Sequence, residues 1–155
     1  MPRHWPVYGG LWDMELKQLY REIVNDHNLH PSHRGRLEAP TIELRGVNPS
    51  CGDDIVLQLK VEDGRITEAA FDGSGCAISQ ASVDMMIDDI LGLPEEEALS
   101  LVEKFMGMIR GTSTEEDLEA LDEAAALQDI AHMPARVKCA TLGWRTLKEA
   151  LEGQK

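Results

Sequence analysis

The sequence lacks any apolar run near the roughly 20 residues that a membrane-spanning helix requires, so its 155 residues offer no candidate span. It also lacks an apolar stretch at the N-terminus. The opening MPRHWPVYGGLW is broken by prolines and glycines, so no secretory signal is expected and the reading is cytoplasmic. Positive charge is scarce: 15 Lys and Arg stand against 28 Asp and Glu, a formal net charge of -13. A surface of that sign repels phosphate backbones and anionic lipid headgroups. Nucleic acid and membranes are therefore poor partners, and a basic protein face is a better one. Cysteine is scarce too, with Cys51, Cys76 and Cys139 alone. An odd number cannot pair fully within one chain, and a reducing compartment disfavours disulfides. Metal binding, catalysis or plain burial remain.

What is present suffices for one ordinary domain, since 43% of the residues are hydrophobic. Residues 1–12 read as an N-terminal tail and residues 13–155 as a single domain. Leu16, Leu19, Tyr20, Ile23, Val24 and His27 recur with helical spacing, and Asp13 is placed to cap that helix. His30-Pro31 and Gly35 end it, and residues 28–39 form a loop. Three strands follow. Thr41 to Gly46 is short. In 54–62 Ile55, Leu57, Leu59 and Val61 alternate with polar residues. Glu62-Asp63-Gly64 is a hairpin turn, and the chain returns over 65–72 with Ile66 on the face opposite Ala69 and Phe71.

The second half is helical. Ile78, Ala81, Ser82, Met85, Met86 and Ile90 form one stripe ending at Gly92. Pro94 opens the next helix, which ends near Gly111. Thr112-Ser113-Thr114 caps an acidic helix running to about Leu127. Pro134 breaks the chain, and a last helix starts near Cys139, with Trp144, Leu147 and Leu151 inward. The class is α+β, a three-stranded antiparallel sheet with helices packed on it.

The stretch NPSCGDD, residues 48–54, puts Cys51 among turn residues rather than on an apolar face, so its thiol is reachable. Cys76 follows Gly73-Ser74-Gly75 at a strand-to-helix junction, and Cys139 follows Arg136 and Lys138. A helix start and nearby cations both favour thiolate. If these junctions share one end of the sheet, the three thiols can form a metal site. The spacing matches no zinc-finger pattern, and three separately buried cysteines is the plain reading. Tetrahedral zinc takes a fourth ligand. Asp53, two residues beyond Cys51, is one candidate; histidines are the others. His27 lies on the apolar stripe and reads as a core or capping residue. His30 and His33 read as surface or docking residues, and a His-only metal site there is the lesser reading.

The segments NPSCGDDI, FDGSGCAISQAS with the following MM, and PARVKCATLGW resemble the three cysteine motifs of the U-type iron–sulphur assembly proteins. LYREIVNDHNLHPSHRG is similar to that family's first helix and loop. The resemblance runs from about Leu16 to Leu151 and implies an antiparallel sheet with helices on it. Lys138, where the scaffold (IscU-like) branch has histidine, and the extra stretch around Thr112 to His132 are similar to the SufU branch. Val83-Asp84 departs from the small residues usual there, which puts an acid two turns from the site with no expected change of ligands.

That branch implies Zn2+ held by Cys51, Asp53, Cys76 and Cys139, with sulphur accepted from a SufS-like cysteine desulphurase and passed to a downstream Suf assembly scaffold. Cys51, on the Pro/Gly turn, is then the expected sulphur acceptor, with Arg136 and Lys138 in support. By the same resemblance residues 28–39 lie near the metal edge and contact the desulphurase. The alternative is a scaffold on which a [2Fe–2S] cluster is assembled and transferred, its iron held by the same residues. A third reading, a purely structural zinc site, sits poorly with a carboxylate ligand.

Overall fold

The computed structural model describes residues 10–153. Its elements are α1 (Gly10–Leu29), β1 (Ile42–Asn48), β2 (Asp53–Glu62), β3 (Arg65–Ser74), α2 (Ala77–Ile90), α3 (Glu95–Arg110), α4 (Glu115–Leu121), a 3-10 helix (Asp122–His132) and α5 (Pro134–Glu152). The sheet is an antiparallel meander in the order β1-β2-β3, as the alternation in β2 requires. None of the described helices is long and apolar enough to cross a membrane.

One face of the sheet makes the core. Ile55, Leu57 and Leu59 are fully buried; their partners are Gly46, Leu44 and Ile42 on β1 and Gly73, Phe71 and Ala69 on β3. Helices α2 and α5 cover this face, α5 over β1 and β2 and α2 against β3. A Cβ at Gly46 would lie 2.2 Å from Thr146 Oγ1, so only glycine lets α5 approach this closely. The opposite face carries Glu43, Arg45, Lys60, Glu68 and Asp72, as a half-solvated antiparallel sheet should. The loop after α1 lies against β3, with Gly35 N donating to Phe71 O at 2.8 Å and Phe71 N to His33 O at 3.1 Å.

The structure corrects several expectations. Ile66 is buried on the same side as Ala69 and Phe71, because the register shifts between Lys60 and Val61 and leaves Thr67 as an extra residue on β3. Such a bulge reverses side-chain parity. Helix α1 starts at Gly10, so Asp13 is inside it; Leu11, Met14 and Glu15 are strong helix formers that extend it upstream. Trp5 and Tyr8 of the tail lie outside the described residues. The acidic helix stops at Leu121. Asp122 takes φ 52, ψ -123, and the chain continues as a 3-10 helix. Pro134 opens α5 rather than breaking the chain, since proline at the first helical position loses no hydrogen bond. Cys139 is therefore in the second turn of α5, not at its start.

Candidate metal centre

The last β1–β2 pair, Asn48 with Asp53, closes the sheet at one end. Cys51 sits in the four-residue turn beyond it, where Cys51 N donates to Asn48 O at 3.3 Å and Gly52 takes φ +72. That left-handed angle suits glycine, and it leaves Cys51 exposed. Asp53, first on β2, is fully buried. At the end of β3 the chain passes Gly75, where a Cβ would lie 2.7 Å from Asp53 Oδ1. Cys76 then caps α2, its Sγ accepting from Ser79 N at 3.5 Å. From the other side α5 brings Cys139, 1% exposed.

Metal-binding atoms of Cys51, Asp53 and Cys139 all lie within 4.8 Å of one another. Cys76 stands outside that set, its sulphur turned to the helix cap. Its backbone N–H donates to Asp53 Oδ1 at 2.9 Å. Asp53 Oδ1 also accepts from Ser79 Oγ at 3.1 Å, and Oδ2 from Asn48 Nδ2 at 3.2 Å. Burial alone would raise the Asp53 pKa. The Cys76 amide, the Cys139 thiol, Ser79 and Asn48 outweigh it and hold the carboxyl below its usual range. The Cys139 thiol is pushed far up, first by burial and then by hydrogen bonds with Cys51, Asp53 and Cys76.

This electrostatic arrangement bears on what fits. A buried carboxylate and several thiols crowd together, and they cannot all ionise side by side without a cation. Thiolate sulphur suits zinc or iron. The donor set therefore fits a tetrahedral metal, and the arrangement can hold one.

Of the expected supporting cations, Arg136 is three residues from Cys139 and shares its side of α5, whereas Lys138 is its neighbour in sequence and points elsewhere. Arg136 lines a groove of about 740 Å³ with Lys17, Tyr20, Ile78 and Met133. His27 is buried, as its place on the stripe suggests, and His30 is exposed. His33 is half-buried: its side chain is 18% exposed and its ring meets Asp88. The basic loop is also largely tied down, with Arg34 on the uncharged Gln80 Oε1 and Gly73 O and Arg36 on the carboxylates of Asp72 and Glu43. Asn48 and Ser79 were not singled out by the sequence. Ser79 could have been, as the residue three after a capping cysteine.

The fold and this cysteine edge define a small α+β protein whose thiols and one carboxylate converge where β1, β2, β3 and α5 meet. The chain belongs to the NifU-like N terminal domain family, whose model matches residues 19–153. A relative from Thermotoga maritima, the iron-sulfur cluster assembly scaffold protein IscU, is 45% identical over 139 residues, 90% of this chain and 96% of that one. The zinc-dependent sulfurtransferase SufU of Bacillus subtilis is 37% identical over 140 residues, 90% of this chain and 94% of that one. A solved structure from Fervidobacterium islandicum, offered as a cluster assembly scaffold for the SUF system, superimposes with a TM-score of 0.80 at 34% identity, covering 86% of this chain and 97% of that one.

Proposed function

We propose that this protein is a zinc-dependent sulphur acceptor in iron–sulphur cluster biogenesis. It takes persulphide sulphur from a SufS-like cysteine desulphurase in the cytoplasm and passes it to a downstream assembly scaffold. It is a sulphurtransferase only together with that partner. Cys51, Asp53, Cys76 and Cys139 would hold Zn2+. When bound, the ion supplies the positive charge that lets the thiols ionise near neutral pH. The observation that carries the reading is the asymmetry among the ligands: Cys51 is exposed on a turn, while Asp53 and Cys139 are buried and interlocked.

In the transfer, the Cys51 thiolate attacks the outer sulphur of the partner's persulphide. A bond forms between Cys51 Sγ and that sulphur, the partner's S–S bond breaks, and the partner's cysteine leaves as a thiolate. No net oxidation occurs. Asp53 stays fixed by Cys76 N, Ser79 and Asn48, so the edge keeps its shape while Cys51 moves. Arg136 steers the incoming anion, and the loop of residues 28–39 contacts the desulphurase.

The second reading is a scaffold for a [2Fe–2S] cluster. It is favoured by the names of the Thermotoga relative and of another from Streptococcus pyogenes, 42% identical over 139 residues. The non-ligating Lys138 before Cys139 weighs against it. Metal analysis of protein purified without oxygen separates the two. One zinc per chain supports the sulphur acceptor; iron with acid-labile sulphide supports the scaffold.

A further inference from the structure

A second cluster of ligating side chains lies away from the cysteine edge, where the end of α1, the following loop, the second half of α2 and the start of the 3-10 helix meet. Metal-binding atoms of His27, Asp84 and Asp88 lie within 4.8 Å of one another. His27 is 7% exposed and Asp84 fully buried. Asp84 is eight residues along α2 from Cys76, roughly 12 Å of helix, so this cluster is separate from the first.

Its carboxylates outnumber its histidines. Both ring nitrogens of His27 face carboxylates, Nδ1 towards Asp84 Oδ2 at 2.7 Å and Nε2 towards Glu123 Oε1 at 3.2 Å. A neutral imidazole carries one N–H. It can satisfy one of these oxygens; burial works against a second proton, but Asp84 and Glu123 outweigh it and raise the His27 pKa, favouring the imidazolium that donates to both. His33 Nε2 meets Asp88 Oδ1 at 2.6 Å. Burial, and then the charges of Asp122, Asp88 and Glu123, push the Asp89 carboxyl up to about 8, so it is mostly neutral at pH 7, and its Oδ2 is buried without a hydrogen-bond partner. Among the described residues no lysine or arginine pairs with Asp84, Asp88, Asp89, Asp122 or Glu123. Three carboxylates, Asp84, Asp88 and Glu123, thus meet two histidines.

We propose that this cluster is a second metal site, taking a divalent cation of the Mn2+ or Fe2+ kind. His27 Nδ1, Asp84 Oδ2 and a carboxylate oxygen of Asp88 are its ligands. Glu123 holds the other nitrogen of His27, the arrangement that fixes the tautomer of a metal-binding histidine. His33 orients Asp88 in the same way. A second proton on His27 would add one charge and reach neither Asp88 nor Asp89. A divalent ion adds two charges and gathers Asp84 and Asp88 together. One nitrogen and several oxygens suit the harder first-row ions, whereas the thiols suit zinc, so the two sites sort metals by ligand softness. Asp84 Oδ1 also accepts from His33 N at 2.9 Å. The ion would therefore clamp the loop whose Arg34 holds Gln80 and Gly73 O beside Cys76.

The test is a titration of the full, zinc-loaded chain with Mn2+, with free Mn2+ read by its electron paramagnetic resonance signal. One Mn2+ should bind per chain in the micromolar range. Asp84→Asn should abolish binding. Asp88→Asn neutralises a carboxylate whose side chain is 42% exposed, so it leaves the core intact and should weaken binding by at least about tenfold. Glu68→Gln, which neutralises an exposed carboxylate on β3, should leave it unchanged. Absence of Mn2+ binding, wild-type affinity in Asp88→Asn, or loss of Mn2+ in Glu68→Gln would each overturn the proposal.

Discussion

Gly143 sits one turn beyond Cys139 on α5, facing α2, the helix that Cys76 heads. A Cβ there would lie 2.4 Å from Val83 Cγ2 and 3.5 Å from Val83 Cα. Non-bonded carbons rest at about 3.5–4.0 Å, so a methyl group at 143 intrudes by more than about 1 Å. Val83 is fully buried, and a valine in a helix has one strongly preferred rotamer, so it cannot swing aside without strain. Overpacking of this kind costs about 1–3 kcal/mol. Replacing glycine by alanine within a helix returns about 1 kcal/mol. Gly143→Ala should therefore destabilise by about 0–2 kcal/mol, or by up to roughly 8 °C in melting temperature for a chain of this size. Because α2 and α5 carry two of the proposed ligands, zinc affinity should fall with it. Adding Val83→Ala removes the obstructing methyls, so thermal melts of the four proteins should give a coupling energy of at least about 0.5 kcal/mol in the rescuing direction. A Gly143→Ala variant more stable than the parent, or an additive cycle, would refute the idea that this contact sets the spacing of the cysteine-bearing helices.

Loss of the buried Cys139 or the half-buried Cys76 should be felt in both metal and stability: Cys139→Ser and Cys76→Ser should lower the melting temperature and release zinc, and full zinc retention with an unchanged melt in both would count against the site. Because the domain has its own core, partial rather than complete unfolding is expected. Arg36→Glu should cost under about 1 kcal/mol, since its pairs with Asp72 and Glu43 are exposed, and should keep zinc bound while weakening stimulation of the desulphurase. Equal stimulation would remove the loop from the docking face.

The sheet was legible because Ile55, Leu57 and Leu59 alternate strictly over a buried face, and because Asp63-Gly64, both with positive φ, is the turn such a hairpin needs. The bulge at Thr67 was not, since nothing in RITEAAF marks which residue leaves the ladder. The start of α5 could have been read from Pro134 at the first helical position, but proline also breaks helices, and the periodicity upstream of Cys139 is weak. The turn setting of Cys51 and the nearness of Asp53 came from local sequence, and the structure places both beside Cys139. The burial of Asp53 and the clasp of Asn48 and Ser79 around it depend on strand pairing and on α2 docking. The pairing of His27 with Asp84 is further out of reach. Its partners are 57 residues apart, and only the packing of α1 on α2 joins them.

The central claim is that one thiol of this edge receives sulphur while the others hold the metal. It is tested most directly by incubating the zinc-loaded protein with its cysteine desulphurase and cysteine, followed by peptide mass spectrometry without reductant. The account predicts one added sulphur on the Cys51 peptide, absent together with rate stimulation in a folded Cys51→Ala variant. Sulphur found mainly on Cys139, or full stimulation by Cys51→Ala, would contradict it.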